Sequence, residues 1–137
     1  MDCRIVFYSA RKTSLCERAL KKYLAPLGII PGEARFATRA DALGLLITDA
    51  FASGDMAAVI GGLEFGDERS IVDIMSSALG KSRLDLVRRL ENADGDDGYL
   101  IRSGDQLLLL LPDEPEQIGK MTEGALGEYL RSLSAGK

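Results

Sequence analysis

Residues 56–60 read Met-Ala-Ala-Val-Ile and lead directly into two glycines, Gly61 and Gly62. Five apolar residues in a row leave no wet face, so this segment reads as a strand buried on both sides, the kind that parallel sheets place at their centre. Such a strand needs helices above and below it, and the flanking sequence supplies them. Ile5-Val6-Phe7-Tyr8 is β-branched and aromatic and reads as a first strand. Ser14-Leu15-Cys16-Glu17 is a capping-box pattern. Leu20, Tyr23, Leu24 and Leu27 then recur at helical spacing, with Gly28 as the stop. A short strand is expected over 34–37. Thr38 and Asp41 open a second helix with the stripe Leu43, Leu46, Ile47, Ala50 and Phe51, closed by Gly54.

Past the central strand, Ser70 and Asp73 open a short helix ending at Gly80. Ser82 and Asp85 open another, carrying Leu86, Val87 and Leu90. Residues 99–102 and 106–111 are strand-like and flank Ser103-Gly104-Asp105, a hairpin signal. Pro115 suits the first turn of a closing helix. Its apolar face is Ile118, Met121, Thr122, Ala125, Leu126, Tyr129 and Leu133. Gly119, Gly124 and Gly127 cost that helix about 1 kcal/mol each against alanine, so their use there suits close packing. Strands alternating with helices predict an α/β fold with a mostly parallel sheet, right-handed crossovers and a C-terminal hairpin and helix. The 137 residues suit one core and one domain spanning 1–137.

Composition removes several function classes. The chain has no histidine, so the commonest general base and metal ligand are missing, along with any triad built on imidazole. The formal charge is −4 and no arginine-rich run occurs, which argues against a nucleic-acid partner. Two cysteines, Cys3 and Cys16, are too few for a disulfide-stapled fold, match no zinc spacing and read as small buried hydrophobes. The longest apolar run, residues 107–111, is too short to span a bilayer. No apolar leader precedes Arg4-Ile5-Val6-Phe7, so a cytoplasmic protein without membrane association is expected.

In open parallel sheets ligands bind beyond the carboxyl ends of the strands, which directs attention to the residues after Tyr8, Ile60 and Leu111. After Ile60 comes Gly61-Gly62-Leu63-Glu64-Phe65-Gly66-Asp67-Glu68-Arg69-Ser70. The glycines let a ligand approach the backbone. A helix opening at Ser70 would offer free amides to a phosphate, and Asp67 with Glu68 could hold a hard cation such as Mg²⁺ against it. The plainer reading is a strand-to-helix turn with solvated acids. The glycine spacing fits neither a P-loop nor a dinucleotide fingerprint. After Leu111 come Pro112-Asp113-Glu114-Pro115-Glu116, either a rigid lead into a helix or the floor of a pocket. After Tyr8, Ser9-Ala10-Arg11-Lys12-Thr13-Ser14 could hold a phosphate, or simply end in a Thr13 or Ser14 cap. The acidic stretch 92–98 does not fit a calcium loop, because Asp97 and Ser103 fall where the glycine and the closing glutamate belong, so it reads as a polar turn.

Taken together these pieces resemble the MoaB/MogA/CinA superfamily of molybdopterin-binding domains, and CinA most. The resemblance rests on Gly61-Gly62-Leu63 after a buried strand, then Asn92, Gly95, Gly98-Tyr99, Leu110-Leu111-Pro112, Pro115-Glu116 and Met121 in the family's order. It covers roughly residue 56 to the C-terminus. The chain departs from the pattern where Glu64-Phe65 replaces a Gly-Pro and where Asp113 replaces the glycine of Leu-Pro-Gly. No aspartate aligns with the family's key one, and an early Gly-x-Glu-Leu segment is missing after Tyr8.

The resemblance implies a three-layer α/β/α domain, commonly a homo-oligomer, that binds a small phosphorylated ligand: molybdopterin or an adenine nucleotide. The ligand site is then expected at Gly61, Gly62, Leu63, Gly66, Ser70, Pro112, Asp113 and Pro115; in an active hydrolase or transferase Asp67, Glu68 and Asp113 would hold Mg²⁺. The resemblance leaves open whether the chain is an enzyme. The alternatives are a metal-dependent nucleotide pyrophosphatase of the ADP-ribose type, and a non-catalytic interaction module that kept only the scaffold.

Overall fold

A computed structural model of the chain describes residues 2–53, 56–63, 85–104 and 106–135. Seven strands are described: β1 (Asp2–Tyr8), β2 (Ile30–Pro31), β3 (Arg35–Ala37), β4 (Met56–Ile60), β5 (Leu86–Leu90), β6 (Gly98–Ser103) and β7 (Gln106–Leu111). Four helices accompany them: α1 (Thr13–Leu24), α2 (Ala40–Ser53), α3 (Pro115–Glu123) and α4 (Ala125–Ala135). The strands form one sheet in the order β2-β1-β4-β7-β6-β5, with β3 also on β1. The pairs β1·β2, β1·β3, β1·β4 and β4·β7 are parallel, and only the β5-β6-β7 flank is antiparallel.

The apolar run 56–60 lies at the centre as expected, paired on both sides and buried at all five positions. Its alternate residues feed two cores. Met56, Ala58 and Ile60 join Cys16, Leu20, Leu24, Ile118, Met121 and Leu126 under α1, α3 and α4. Ala57 and Val59 join Leu43, Ile47 and Ala50 under α2. The result is three layers: α2, the sheet, and the other three helices. Register across β1 slips by one residue between Asp2↔Ile30 and Val6↔Arg35, so β2 and β3 are one edge strand with a bulge. Pro31, which has no N–H to donate, stands at that interruption.

Three local expectations give way. Leu86, Val87 and Leu90 lie on strand β5 rather than a helix, registered from Leu86↔Arg102 to Leu90↔Gly98. A spacing of four residues fits one helical turn and two strand repeats equally, and pairing with β6 decides for the strand. The closing helix is two helices, separated at Gly124, whose backbone (φ −96, ψ −134) leaves the helical region. The capping box at Ser14 and the simpler Thr13 or Ser14 cap are both absent. Lys12 is the N-cap residue of α1, in a left-handed conformation and without a side-chain cap bond. By contrast, Gly119 does permit close packing: a Cβ there would stand 3.2 Å from the Tyr23 hydroxyl oxygen of α1. The hairpin β6–β7 turns at Gly104, φ +60, as its sequence predicts.

Candidate functional site at the strand ends

Strands β1, β4 and β7 are adjacent and parallel, so their carboxyl ends lie together on one edge of the sheet. The chain leaves β1 for α1 on one face, while α2 on the other face feeds β4. The boundary between β1 and β4 is therefore a topological switch point, where α/β sheets open a crevice. Gly61 and Gly62 follow β4 at this point with φ of +100 and +77. The Gly61 amide donates to the Leu111 carbonyl at 2.9 Å, joining the ends of β4 and β7.

The glycines are required by the protein itself. A Cβ on Gly61 would fall 2.5 Å from the Tyr8 carbonyl oxygen and 3.0 Å from the Ala10 Cβ. A Cβ on Gly62 would overlap the ring of Tyr8, which is fully buried. The glycine pair thus lets the end of β1 and the loop after it lie across the end of β4. Leu63, partly buried, packs against the core beneath α2.

The loop after β1, residues 9–12, contains two non-glycine residues in left-handed conformations: Ser9 at φ +47 and Lys12 at φ +54. Such backbone is uncommon and is held by its surroundings. Ser9 donates its amide to the Ala37 carbonyl at 2.8 Å. Arg11 donates its amide to Asp113 Oδ2 at 2.9 Å, and its Nε lies 3.4 Å from the same oxygen. Lys12 Nζ reaches Glu114 Oε2 at 2.7 Å. Asp113 is 8% exposed although it follows β7 by only two residues. The local capping signals missed this arrangement because tertiary ion pairs, rather than a hydroxyl, fix the start of α1. The signal in the sequence was two cations after one strand and two acids after another.

The environment protonates the groups nearby. Burial, then the Asp113 and Glu114 carboxylates, push the Cys16 thiol up to about 11. Burial pushes Cys3 up to about 12. Both are free and buried, as their composition suggested, and neither is a nucleophile at neutral pH. The hydrogen bond and charge of Glu114 raise the Lys12 ammonium above its ordinary value.

Of the expected ligand residues, Gly61, Gly62, Leu63, Pro112, Asp113 and Pro115 are brought to this edge, while Gly66, Ser70 and the Mg²⁺ candidates Asp67 and Glu68 lie outside the described residues. Among the described residues no group of three cysteine, aspartate or glutamate side chains could hold a metal ion. The acidic stretch 92–98 is a polar turn as expected. Asn92 Nδ2 donates to Gln117 Oε1 at 2.7 Å and Lys120 pairs with Asp94 at 2.6 Å, which docks the turn on α3. A groove of about 790 Å³ runs between α1 and α3 and shares residues with this edge: Lys12, Glu114 and Pro115 line it together with Lys22, Tyr23 and Lys120. Its walls mix charged side chains of both signs with Leu15, Ala19, Pro115 and the buried Gly119. The strand ends bring left-handed backbone at Ser9, Lys12, Gly61 and Gly62 beside the nearly buried carboxylate of Asp113.

The fold is shared with solved structures of CinA, MoaB and Mog proteins. It matches CinA of Thermoplasma acidophilum, a protein of unknown function, with a TM-score of 0.77 at 14% identity over 94% of this chain and 97% of that one. It also matches MoaB of Thermus thermophilus (TM-score 0.72, 16% identity, 99% and 97% covered). The Mog protein of Mycobacterium ulcerans, a molybdopterin biosynthesis protein, gives 0.70 at 18% identity over 96% and 98%. No family model and no curated protein matches the sequence. Among the described residues no helix is long and apolar enough to cross a membrane.

Proposed function

We propose that this chain is a divergent relative of MoaB, MogA and CinA whose strand ends bind a phosphorylated pterin or an adenine nucleotide. The observation that carries this reading is the convergence at the switch point of the Gly61-Gly62 turn with the Arg11 amide, Arg11 and Lys12. Backbone amides and cations beside a tight glycine turn are what a phosphate requires. Two of the structural neighbours are described as molybdopterin biosynthesis proteins, which supports a ligand of that class. Gly61, Gly62, Leu63, Pro112 and Pro115 would form the floor, and Gly66 and Ser70 would extend it. Asp67 and Glu68 would supply the ligands for Mg²⁺ if the ion accompanies the phosphate. Asp113 is engaged by Arg11, which favours a binding domain over a hydrolase that spends this carboxylate on a metal.

A thermal-shift panel tests the reading: molybdopterin, AMP, ATP and ADP-ribose, each with and without Mg²⁺. A ligand held at 100 times its Kd stabilises the native state by about 2.7 kcal/mol, and the midpoint should rise accordingly. No rise with any member of the panel would refute it. Self-association, expected from the same resemblance, is checked by light scattering.

A further inference from the structure

Two consecutive residues after β1 pair with two consecutive residues after β7: Arg11 with Asp113, and Lys12 with Glu114. Strand β4 lies between β1 and β7 in the sheet, so these pairs cross over its end. Gly61 confirms the crossing, since it sits against Tyr8 and Ala10 on one side and bonds Leu111 on the other. The strap is thus drawn over the end of β4, and the groups that would meet a phosphate there are already held by carboxylates. We propose that Asp113 and Glu114 are internal counter-anions, which a phosphorylated ligand must displace by exchanging partners on Arg11 and Lys12.

The chemistry of the contact supports exchange. Asp113 accepts from both the amide and the guanidinium of Arg11, the donor set a phosphate oxygen would use. The carboxylate is nearly buried, whereas the Arg11 side chain is 76% exposed and can follow an incoming ligand. A carboxylate left in place about 4 Å from a phosphate would repel it by roughly 1 kcal/mol in water and several times more in a protein setting. Displacing or neutralising Asp113 therefore controls affinity. This inference rests on the strand ends being the anion site.

The test titrates inorganic pyrophosphate into the wild-type chain and Asp113→Asn by calorimetry at low ionic strength, with urea unfolding as a check on folding. Asparagine keeps the shape and one acceptor but removes the charge. The variant should bind roughly tenfold or more tightly than wild type. Hydrogen exchange at the Arg11 amide should also quicken without ligand, because its acceptor is weaker. If Asp113→Asn is too unstable to titrate, Glu114→Gln should show a smaller gain in the same direction. Binding by wild type that the substitutions leave equal or weaken overturns partner exchange but keeps the site. No binding by any form overturns the site and the exchange together. Unchanged exchange at Arg11 overturns the strap itself.

Discussion

Two acidic loops adjoin α3 from different parts of the sheet, and they are held in opposite ways. In the turn between β5 and β6, Asp94 is exposed and meets Lys120 at the surface, while Asn92 and Gln117 hold the turn through neutral hydrogen bonds. In the loop after β7, Asp113 is buried and reaches back 102 residues to a backbone amide. The first loop could lose Asp94 and keep its shape, because Asp97 Oδ1 accepts the Asn92 amide at 2.8 Å within the turn. The second uses its acid to shape another loop. Equal charge in a sequence thus conceals unequal work: an exposed pair is screened and weak, whereas a buried carboxylate must be answered.

The largest expected effect lies beneath the strap. Gly62→Val would force a β-branched residue into φ +77 and against the buried Tyr8 ring. A loss of about 3 kcal/mol or more in urea unfolding is expected. A stable Gly62→Val would mean that the ends of β1 and β4 are not pressed together. Next comes Asp113→Ala, which leaves the Arg11 amide without its acceptor and should cost about 2 kcal/mol. A cost near zero would erase the contrast between the loops.

A separate effect concerns pH. Cys16 and Cys3 titrate near 11 and 12 in the folded chain, above the ordinary 9.0. Their protonated forms therefore favour folding below pH 9, and stability should fall as pH climbs from 9 toward 11. Thiol labelling in the native state at pH 8 should likewise be slow until urea is added, and fast labelling would show that Cys16 is accessible. The smallest effect is Asp94→Asn, which should leave the urea midpoint nearly unchanged. A loss matching that of Asp113→Ala would make the two loops equivalent after all.

How much of this was legible in the sequence follows from the range of each interaction. The run 56–60 declared its own burial, because a strand wet on neither face can only lie inside a sheet. Gly104 declared a turn for a similarly local reason. Leu86, Val87 and Leu90 misled, since their spacing satisfies two periods and only a partner strand chooses between them. The cap of α1 misled because Ser14 and Glu17 form a good local pattern that the tether from Arg11 and Lys12 overrides. The Asp113 contact spans nearly the whole chain, so no local pattern could have announced it. What the sequence did show was that an aspartate stands where the resembled family has glycine.

The claim at the centre of this account is that anionic ligands enter at the ends of β1, β4 and β7. Amide chemical shifts of the ¹⁵N-labelled chain, followed while AMP or ADP-ribose is added with and without Mg²⁺, test it most directly. The account predicts shifts concentrated at residues 9–12, 61–63 and 113–114, with the exposed turn at Asp94 unmoved. Shifts centred instead on Arg18, Lys22 and Lys120 in the groove between α1 and α3, with residues 9–11, 61–63 and 113 silent, would contradict it.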